Sequence, residues 1–348
     1  MKTSLKIIAT LLFSAGVNAS ADPLSLQSTD QNILAMNTTV LSPFWQSVVQ
    51  KGHIVGKDGV QLAYSYVIPE QPKETFLLLQ GRTESMMKYH ELIWQLHMQG
   101  YAVFTLDHRG QGLSARMLEN PQKGHVDKFQ DYVDDQLLFI DTVVKKQPTT
   151  GPLLLLTHSM GGAVGSLLMA QQPTLFKAAV LSSPMHMPNT ELLFSEADGC
   201  YVASTVGWMC SDCYAGFVDV PYNATAFADN VLTQSAERYQ LFRETYKAQP
   251  QLQLGGPTWQ WLTESCAVAD DMADTAKAVQ TPFIILQGSA DTVVSNSAQD
   301  QFCDNAATAC QGVVKIVGGR HELFIEQDQY RQPAIAALLA FFAKATQN

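Results

Sequence analysis

Three side chains far apart in the sequence, Ser159, Asp291 and His321, have the types and the order needed for nucleophilic attack on a carbonyl group. A serine hydroxyl is a poor nucleophile until a base takes its proton, and a histidine serves as that base when a carboxylate orients its ring. Ser159 stands in Leu153-Leu-Leu-Leu-Thr-His158-Ser159-Met160-Gly161-Gly162-Ala163, where an apolar run ends abruptly in small residues. Four leucines after Gly151-Pro152 predict a strand buried on both faces, and Gly161 to Leu168 predict a closely packed helix. The turn between them has no room for large side chains, so it raises the Ser159 hydroxyl above the sheet beside backbone N–H groups. Thr157 departs from the Gly-x-Ser-x-Gly form of such an elbow, and a β-branched residue there is expected to crowd the neighbouring strand.

Of the eight histidines, His321 follows a predicted strand, Val313 to Val317, in a Gly-rich loop near the C-terminus. The loop after the preceding strand, Gln287-Gly-Ser-Ala-Asp291, offers the acid, with Glu322 and Asp270 as alternatives. Taken singly, His321 could be a surface histidine and Asp291 a turn residue; the order Ser, Asp, His is what joins them. His158 adjoins Ser159 and is expected to point the other way. Negative charge on a carbonyl oxygen under attack needs donors already in place. The backbone N–H groups of Met160 and Arg82 are the candidates, the second because Gln80-Gly81-Arg82 ends an earlier apolar strand. The Arg82 side chain has two readings, a phosphate ligand or a salt bridge with a neighbour such as Glu84.

The elements that must hold these residues alternate along the chain. An opening hairpin is expected over 53–67, strands over 75–79, 101–106, 153–157, 178–183, 282–287 and 313–317, and helices over 89–99, 129–146 and 332–344. Strands alternating with helices predict an α/β fold with a mostly parallel sheet flanked by helices, its chemistry at the carboxyl ends of the strands. Residues 22–184 and 279–348 supply this core. About a hundred residues separate the strand at 178–183 from the next, and 185–278 read as an inserted helical cap with Trp208, Trp259 and Trp261 and helices over 231–249 and 258–269. Residues 22 to about 50 read as a loosely structured lead-in.

The chain is 46% hydrophobic and 16% charged over 348 residues, enough to bury a large core. Lys2, Lys6, an apolar stretch from Ile7 to Val17 and small residues up to Ala21 predict a signal peptide over 1–21 and an exported protein, periplasmic or extracellular. Cleavage removes two of 22 basic residues against 32 acidic ones and leaves a net charge near −12, which speaks against a nucleic-acid partner. The six cysteines all lie in the exported part and predict disulfides. Cys303 and Cys310 bracket a short loop and are expected to pair, which leaves three pairings among Cys200, Cys210, Cys213 and Cys266. Cys210 and Cys213 lack a second pair at zinc-ligand spacing, so no metal is expected, and the chemistry calls for no cofactor.

Several motifs resemble a known family: Gly81-Arg82-Thr-Glu84-Ser85-Met-Met-Lys88-Tyr89, Asp107-His-Arg-Gly-Gln-Gly112-x-Ser114, Gly124-His125-Val126-x-x-Phe129-x-Asp131-Tyr132-Val133-Asp134-Asp135, His158-Ser-Met-Gly-Gly162 and Gly255-Gly-Pro-Thr258. Together they resemble the bacterial lysophospholipases among the monoacylglycerol-lipase-like α/β-hydrolases, over roughly residues 50–345. The resemblance implies an α/β-hydrolase fold with a helical cap, and Ser159, Asp291 and His321 as a catalytic triad. It also implies hydrolysis of single-chain lipid esters. The same triad would equally serve a general carboxylesterase, thioesterase or acyltransferase, and a non-enzymatic lipid-binding protein is a third reading. A lipid substrate leads one to expect transient contact with a membrane surface. An apolar acyl slot between cap and sheet is expected to include Met160, Met185, Met187, Leu192 and Leu193.

Overall fold

Leu154, Leu155 and Leu156 are fully buried, and their surroundings explain the unbroken apolar run. Leu155 packs on one side of a sheet with Leu77, Phe104, Leu181 and Ile285. Leu154 and Leu156 pack on the other with Phe76, Leu78, Val180 and Leu286. Successive side chains of a strand face opposite ways, so a strand covered on both sides has no place for a polar residue. Each leucine buried in this way contributes roughly 1.5–3 kcal/mol.

The computed structural model describes residues 28–149, 151–188, 196–216 and 219–347. Their strands are β1 (Gln50–Val55), β2 (Gln61–Val67), β3 (Thr75–Leu79), β4 (Ala102–Leu106), β5 (Leu153–His158), β6 (Ala178–Ser182), β7 (Phe283–Gly288) and β8 (Cys310–Ile316). They form one sheet in the order β1-β2-β4-β3-β5-β6-β7-β8. The β1–β2 and β2–β4 pairs are antiparallel and the rest parallel. Register sets Leu79 beside Thr157 and His158 beside Ser182, so the loops leaving β3, β5 and β6 emerge together at one edge. Helices Gln130–Thr142, Met160–Gln171, Met272–Ala278 and Asn296–Asn305 cover one face. His90–Met98 and the closing helix Asp328–Thr346 cover the other. This is the expected α/β architecture.

The N-terminal segment differs from expectation. In place of a loose lead-in, Ile33–Met36, Asn37–Leu41 and Ser42–Ser47 are short helical stretches, and Ile33, Leu41, Phe44 and Trp45 are buried in the core. Such short pieces, one holding Thr38-Thr39-Val40, are poor helix formers alone, so their order comes from tertiary packing that no local pattern announces.

Between β6 and β7 the described chain holds helices Glu196–Val206, Ala236–Ala248, Trp259–Asp270 and Met272–Ala278. Ser235 and Thr258 cap the second and third, accepting the N–H groups of Arg238 and Trp261. Met272–Ala278, taken by the sequence into the insertion, packs through Met272 and Ala276 into the main core. Cys200 is bonded to Cys266, tying the first of these helices to the third; Cys210 is bonded to Cys213 and Cys303 to Cys310. Among the described residues, no helix is long and apolar enough to cross a membrane.

Candidate active site

Ser159 sits between β5 and helix Met160–Gln171 with φ 53° and ψ −121°, a backbone conformation that costs a non-glycine residue on the order of 1–3 kcal/mol. Its surroundings hold it there. Ser159 N–H donates to Ser182 O at 3.1 Å, and its own carbonyl accepts the Gly162 and Met185 N–H groups at 2.8 and 2.9 Å. A Cβ on Gly161 would lie 2.5 Å from Leu79 O, and one on Gly162 would lie 2.5 Å from Pro184 Cβ, so both must be glycine. Thr157 is accommodated differently from expectation. Its Cγ2 and Oγ1 face helical Gly165 and Gly162, where added Cβ atoms would lie 2.7 and 3.5 Å away. The β-branch is received by glycines on the following helix.

The loops after β7 and β8 carry Asp291 and His321. Ala290 N–H donates to Gly319 O at 2.9 Å, and a Cβ on Gly288 would lie 2.4 Å from Arg320 O, so the two loops lie in direct contact. His321 Nδ1 is 2.7 Å from Asp291 Oδ2, and His321 Nε2 is 3.0 Å from Ser159 Oγ. With the ring proton on Nδ1, the imidazole donates to Asp291 and accepts the Ser159 hydroxyl proton. Asp291 Oδ1 accepts the N–H groups of Val293 at 2.8 Å and Val294 at 3.4 Å. Burial opposes the Asp291 charge, but His321 and these donors outweigh it and hold the carboxyl below its ordinary range. Burial likewise opposes charge on His321; Asp291, then Glu322 and Glu84, outweigh it and raise the imidazole above its ordinary value. The alternative acids lie elsewhere: Glu322 bonds Lys88, and Asp270 is exposed at a helix end.

The loop after β3 abuts the serine, since a Cβ on Gly81 would lie 3.0 Å from Ser159 Cβ. Among the described residues no acceptor engages the Arg82 or Met160 amide. Among the described residues the Arg82 side chain makes no salt bridge, with Glu84 or any other carboxylate. Its Nη2 donates to Gly255 O at 2.8 Å, and its guanidinium lies 4.9 Å over the Trp261 ring. Burial lowers it to about 10.

Behind the serine lie three charged residues and a neutral histidine, a cluster that the sequence reading names one by one and does not bring together. Lys88 Nζ donates to Glu84 Oε1 and Glu322 Oε1, both at 2.5 Å. His158 lies against the His321 ring, centroids 4.7 Å apart, with Nε2 3.5 Å from Glu322 and no hydrogen bond among the described residues. Burial lowers His158 to about 3, so it is neutral. Glu84, His158 and Glu322 have the grouping of a metal site, but the Lys88 ammonium occupies the place of a cation. The sole signal in the sequence is the four-residue spacing of Glu84 and Lys88, although Glu84 lies in the loop before the short helix Met86–Tyr89.

Of the expected acyl-slot residues, Met160 is fully buried, Met185 is buried beside Ser159 and Met187 is half-buried. Leu192 and Leu193 lie outside the described residues.

A mostly parallel sheet with a serine at a strained strand-to-helix turn, hydrogen-bonded to a histidine and through it to an aspartate on later loops, defines an α/β-hydrolase. The model of the family described as serine aminopeptidase, S33, matches residues 70–328, and the chain belongs to that family. Lysophospholipase L2 of Escherichia coli K12 is 32% identical over 87% of this chain and 89% of its own. Mouse monoglyceride lipase is 37% identical over 40% of this chain and 44% of its own. The fold matches a soluble variant of Saccharomyces cerevisiae monoglyceride lipase, solved with a substrate analogue, with TM-score 0.71 and 18% identity over 86% of this chain and 96% of that one. The chain is an α/β-hydrolase of the lysophospholipase-like and monoacylglycerol-lipase-like kind, a carboxylic ester hydrolase.

Proposed function

We propose that this protein is an exported serine hydrolase that cleaves the acyl ester of lysophospholipids or monoacylglycerols through an acyl-enzyme on Ser159. The observation that carries the reading is the continuous Ser159–His321–Asp291 hydrogen-bond chain, and the kinship with Lysophospholipase L2 supports the substrate class. Ser159 Oγ attacks the ester carbonyl while His321 Nε2 takes its proton, and Asp291 stabilises the imidazolium. The oxyanion is met by the amides of Met160 and Arg82. The carbonyl–alcohol bond breaks as His321 returns the proton to the leaving glycerol-side oxygen. Water then attacks the acyl-enzyme by the same route, and a fatty acid departs.

Residues 185–271 act as the cap, and Met185, beside Ser159, and Met187, two residues on, contribute to the acyl slot, a role the sequence also assigns to Leu192 and Leu193. Tyr201, Trp208 and Met209 are 70%, 79% and 69% exposed on this insertion, which supports transient contact with a lipid surface. A net charge near −12 after cleavage, with two of 22 basic residues removed against 32 acidic ones, favours a neutral or zwitterionic one. The apolar stretch before Ala21 and three disulfides support export.

The test compares wild type with Ser159→Ala for fatty acid released from lysophosphatidylcholine, monoacylglycerol, diacyl phospholipid and a short p-nitrophenyl ester. Ser159-dependent release from the single-chain lipids is expected. Cleavage of the short ester alone would remove the lipid assignment, and equal rates for both proteins would remove Ser159 as nucleophile.

A further inference from the structure

Gly81 is where the loop after β3 touches the serine, and Glu84 is what holds it. A Cβ on Gly81 would lie 2.9 Å from Glu84 Oε2 on one side and 3.0 Å from Ser159 Cβ on the other. The Glu84 side chain folds back on its own loop, where Oε2 accepts the Gly81 N–H at 2.6 Å and the Tyr89 hydroxyl at 2.5 Å. Gln111 Nε2 donates to Gly81 O at 2.7 Å and Glu84 O at 3.0 Å. The loop between them is strained, with Thr83 at φ 62°, so these bonds have work to do in keeping its shape. With the Gly81 amide consumed by Glu84, the next amide, that of Arg82, is the one left for a substrate oxygen.

A buried carboxylate needs a cation, and Glu84 has Lys88, each side chain 4% exposed. Lys88 also reaches Glu322, the residue after His321, across a separation of 234 residues. One ammonium thus joins the loop beside the serine to the loop that carries the base. Stability alone is a weak reason for such an arrangement, because well-packed apolar residues usually serve a core as well as a buried ion cluster does.

We propose that Glu84 is the positioning residue of the oxyanion hole, turning the Gly81–Arg82 peptide toward Ser159, and that Lys88 locks this loop to the His321 loop by bridging Glu84 and Glu322. The inference rests on Ser159 acting as the nucleophile. Its consequence is a preformed hole: charge developing on the carbonyl oxygen meets donors that need not reorganise.

The experiment measures kcat and KM on a short p-nitrophenyl ester, which has no lipid head group to recognise, for wild type, Ser159→Ala, Glu84→Gln and Lys88→Met. It also measures affinity for a trifluoromethyl ketone. Ser159 Oγ adds to that ketone, its proton passes to His321, and the former carbonyl oxygen becomes an oxyanion in the hole. Glu84→Gln is expected to lose about 10²-fold in kcat, with KM within about 3-fold, and a similar factor in ketone affinity. Lys88→Met should move both in the same direction. Circular dichroism checks folding; should Glu84→Gln not fold, Glu322→Gln leaves the Glu84–Lys88 pair in place and must still lower kcat and ketone affinity together. Unchanged kcat in the folded variants, or a loss of kcat with full ketone affinity, would overturn the positioning role. Equal hydrolysis by wild type and Ser159→Ala would overturn the nucleophile and the inference with it.

Discussion

Replacing Asp291 by asparagine changes one atom and should nearly abolish catalysis, for a reason visible in the hydrogen bonds. Oδ1 accepts the Val293 N–H at 2.8 Å, while Oδ2 faces His321 Nδ1 at 2.7 Å. The backbone N–H is a fixed donor, so the amide oxygen of an asparagine must take the Oδ1 place and its NH2 group must face Nδ1. A donor opposite Nδ1 forces the ring proton onto Nε2. His321 then donates to Ser159 Oγ where it should accept, and the base is in the wrong tautomer. Turning the amide over would set two donors against each other at Val293 and cost about 1–3 kcal/mol. The expected loss in kcat is about 10⁴-fold, equivalent to about 5.5 kcal/mol in the barrier. Steady-state kinetics on a p-nitrophenyl ester would measure it, with His321→Ala as the floor and circular dichroism as the check on folding. A loss smaller than about 10-fold would refute the tautomer argument, because that argument leaves no intermediate state.

Two further outcomes concern the scaffold. Gly165→Ala would bring a Cβ to 2.7 Å from Thr157 Cγ2, a stiff β-branched methyl, so it should destabilise by about 1–3 kcal/mol despite the helix propensity of alanine. In a Thr157→Ser background the same change should be close to neutral, and urea midpoints giving equal penalties in both backgrounds would exclude this contact. Glu91 gives an acid signature. Burial opposes its charge, but Arg331 and Arg238 outweigh that and hold it at about 2, against 4.5 unperturbed. Its folded-state value is depressed, so its contribution, on the order of 3 kcal/mol, is present above about pH 4.5 and lost as the pH falls toward 2. The stability advantage of wild type over Glu91→Gln should therefore shrink across that window, and a difference independent of pH would contradict the buried ion network.

Much of the architecture was legible because it is written in short windows. The Leu153 to Leu156 run and the abrupt Gly161-Gly162 turn each depend on residues within a few positions of one another, whereas the helix expected from 231 begins at Ala236 behind a Ser235 cap that the sequence reading passes over. The N-terminal helices were not legible, since Ile33, Leu41, Phe44 and Trp45 gain their order from burial against the far face of the sheet. The placement of Thr157 was misjudged for a related reason: the room for its branch comes from Gly162 and Gly165, and a linear pattern does not say which neighbour a side chain will face.

The sequence by itself determined an alternating strand-and-helix chain, the elbow at Ser159 and the order in which a serine, an aspartate and a histidine follow predicted strands, because period, turn chemistry and chain order are local or linear properties. Tertiary structure decided which cysteines meet, with Cys200 bonded to Cys266. It turned Arg82 toward Gly255 and Trp261, away from Glu84. It also brought Lys88 to Glu322 behind the candidate base. These choices depend on which loops the parallel strands deliver to one edge of the sheet, and a charge buried there pairs with whatever carboxylate lies within reach in space, however distant it is along the chain.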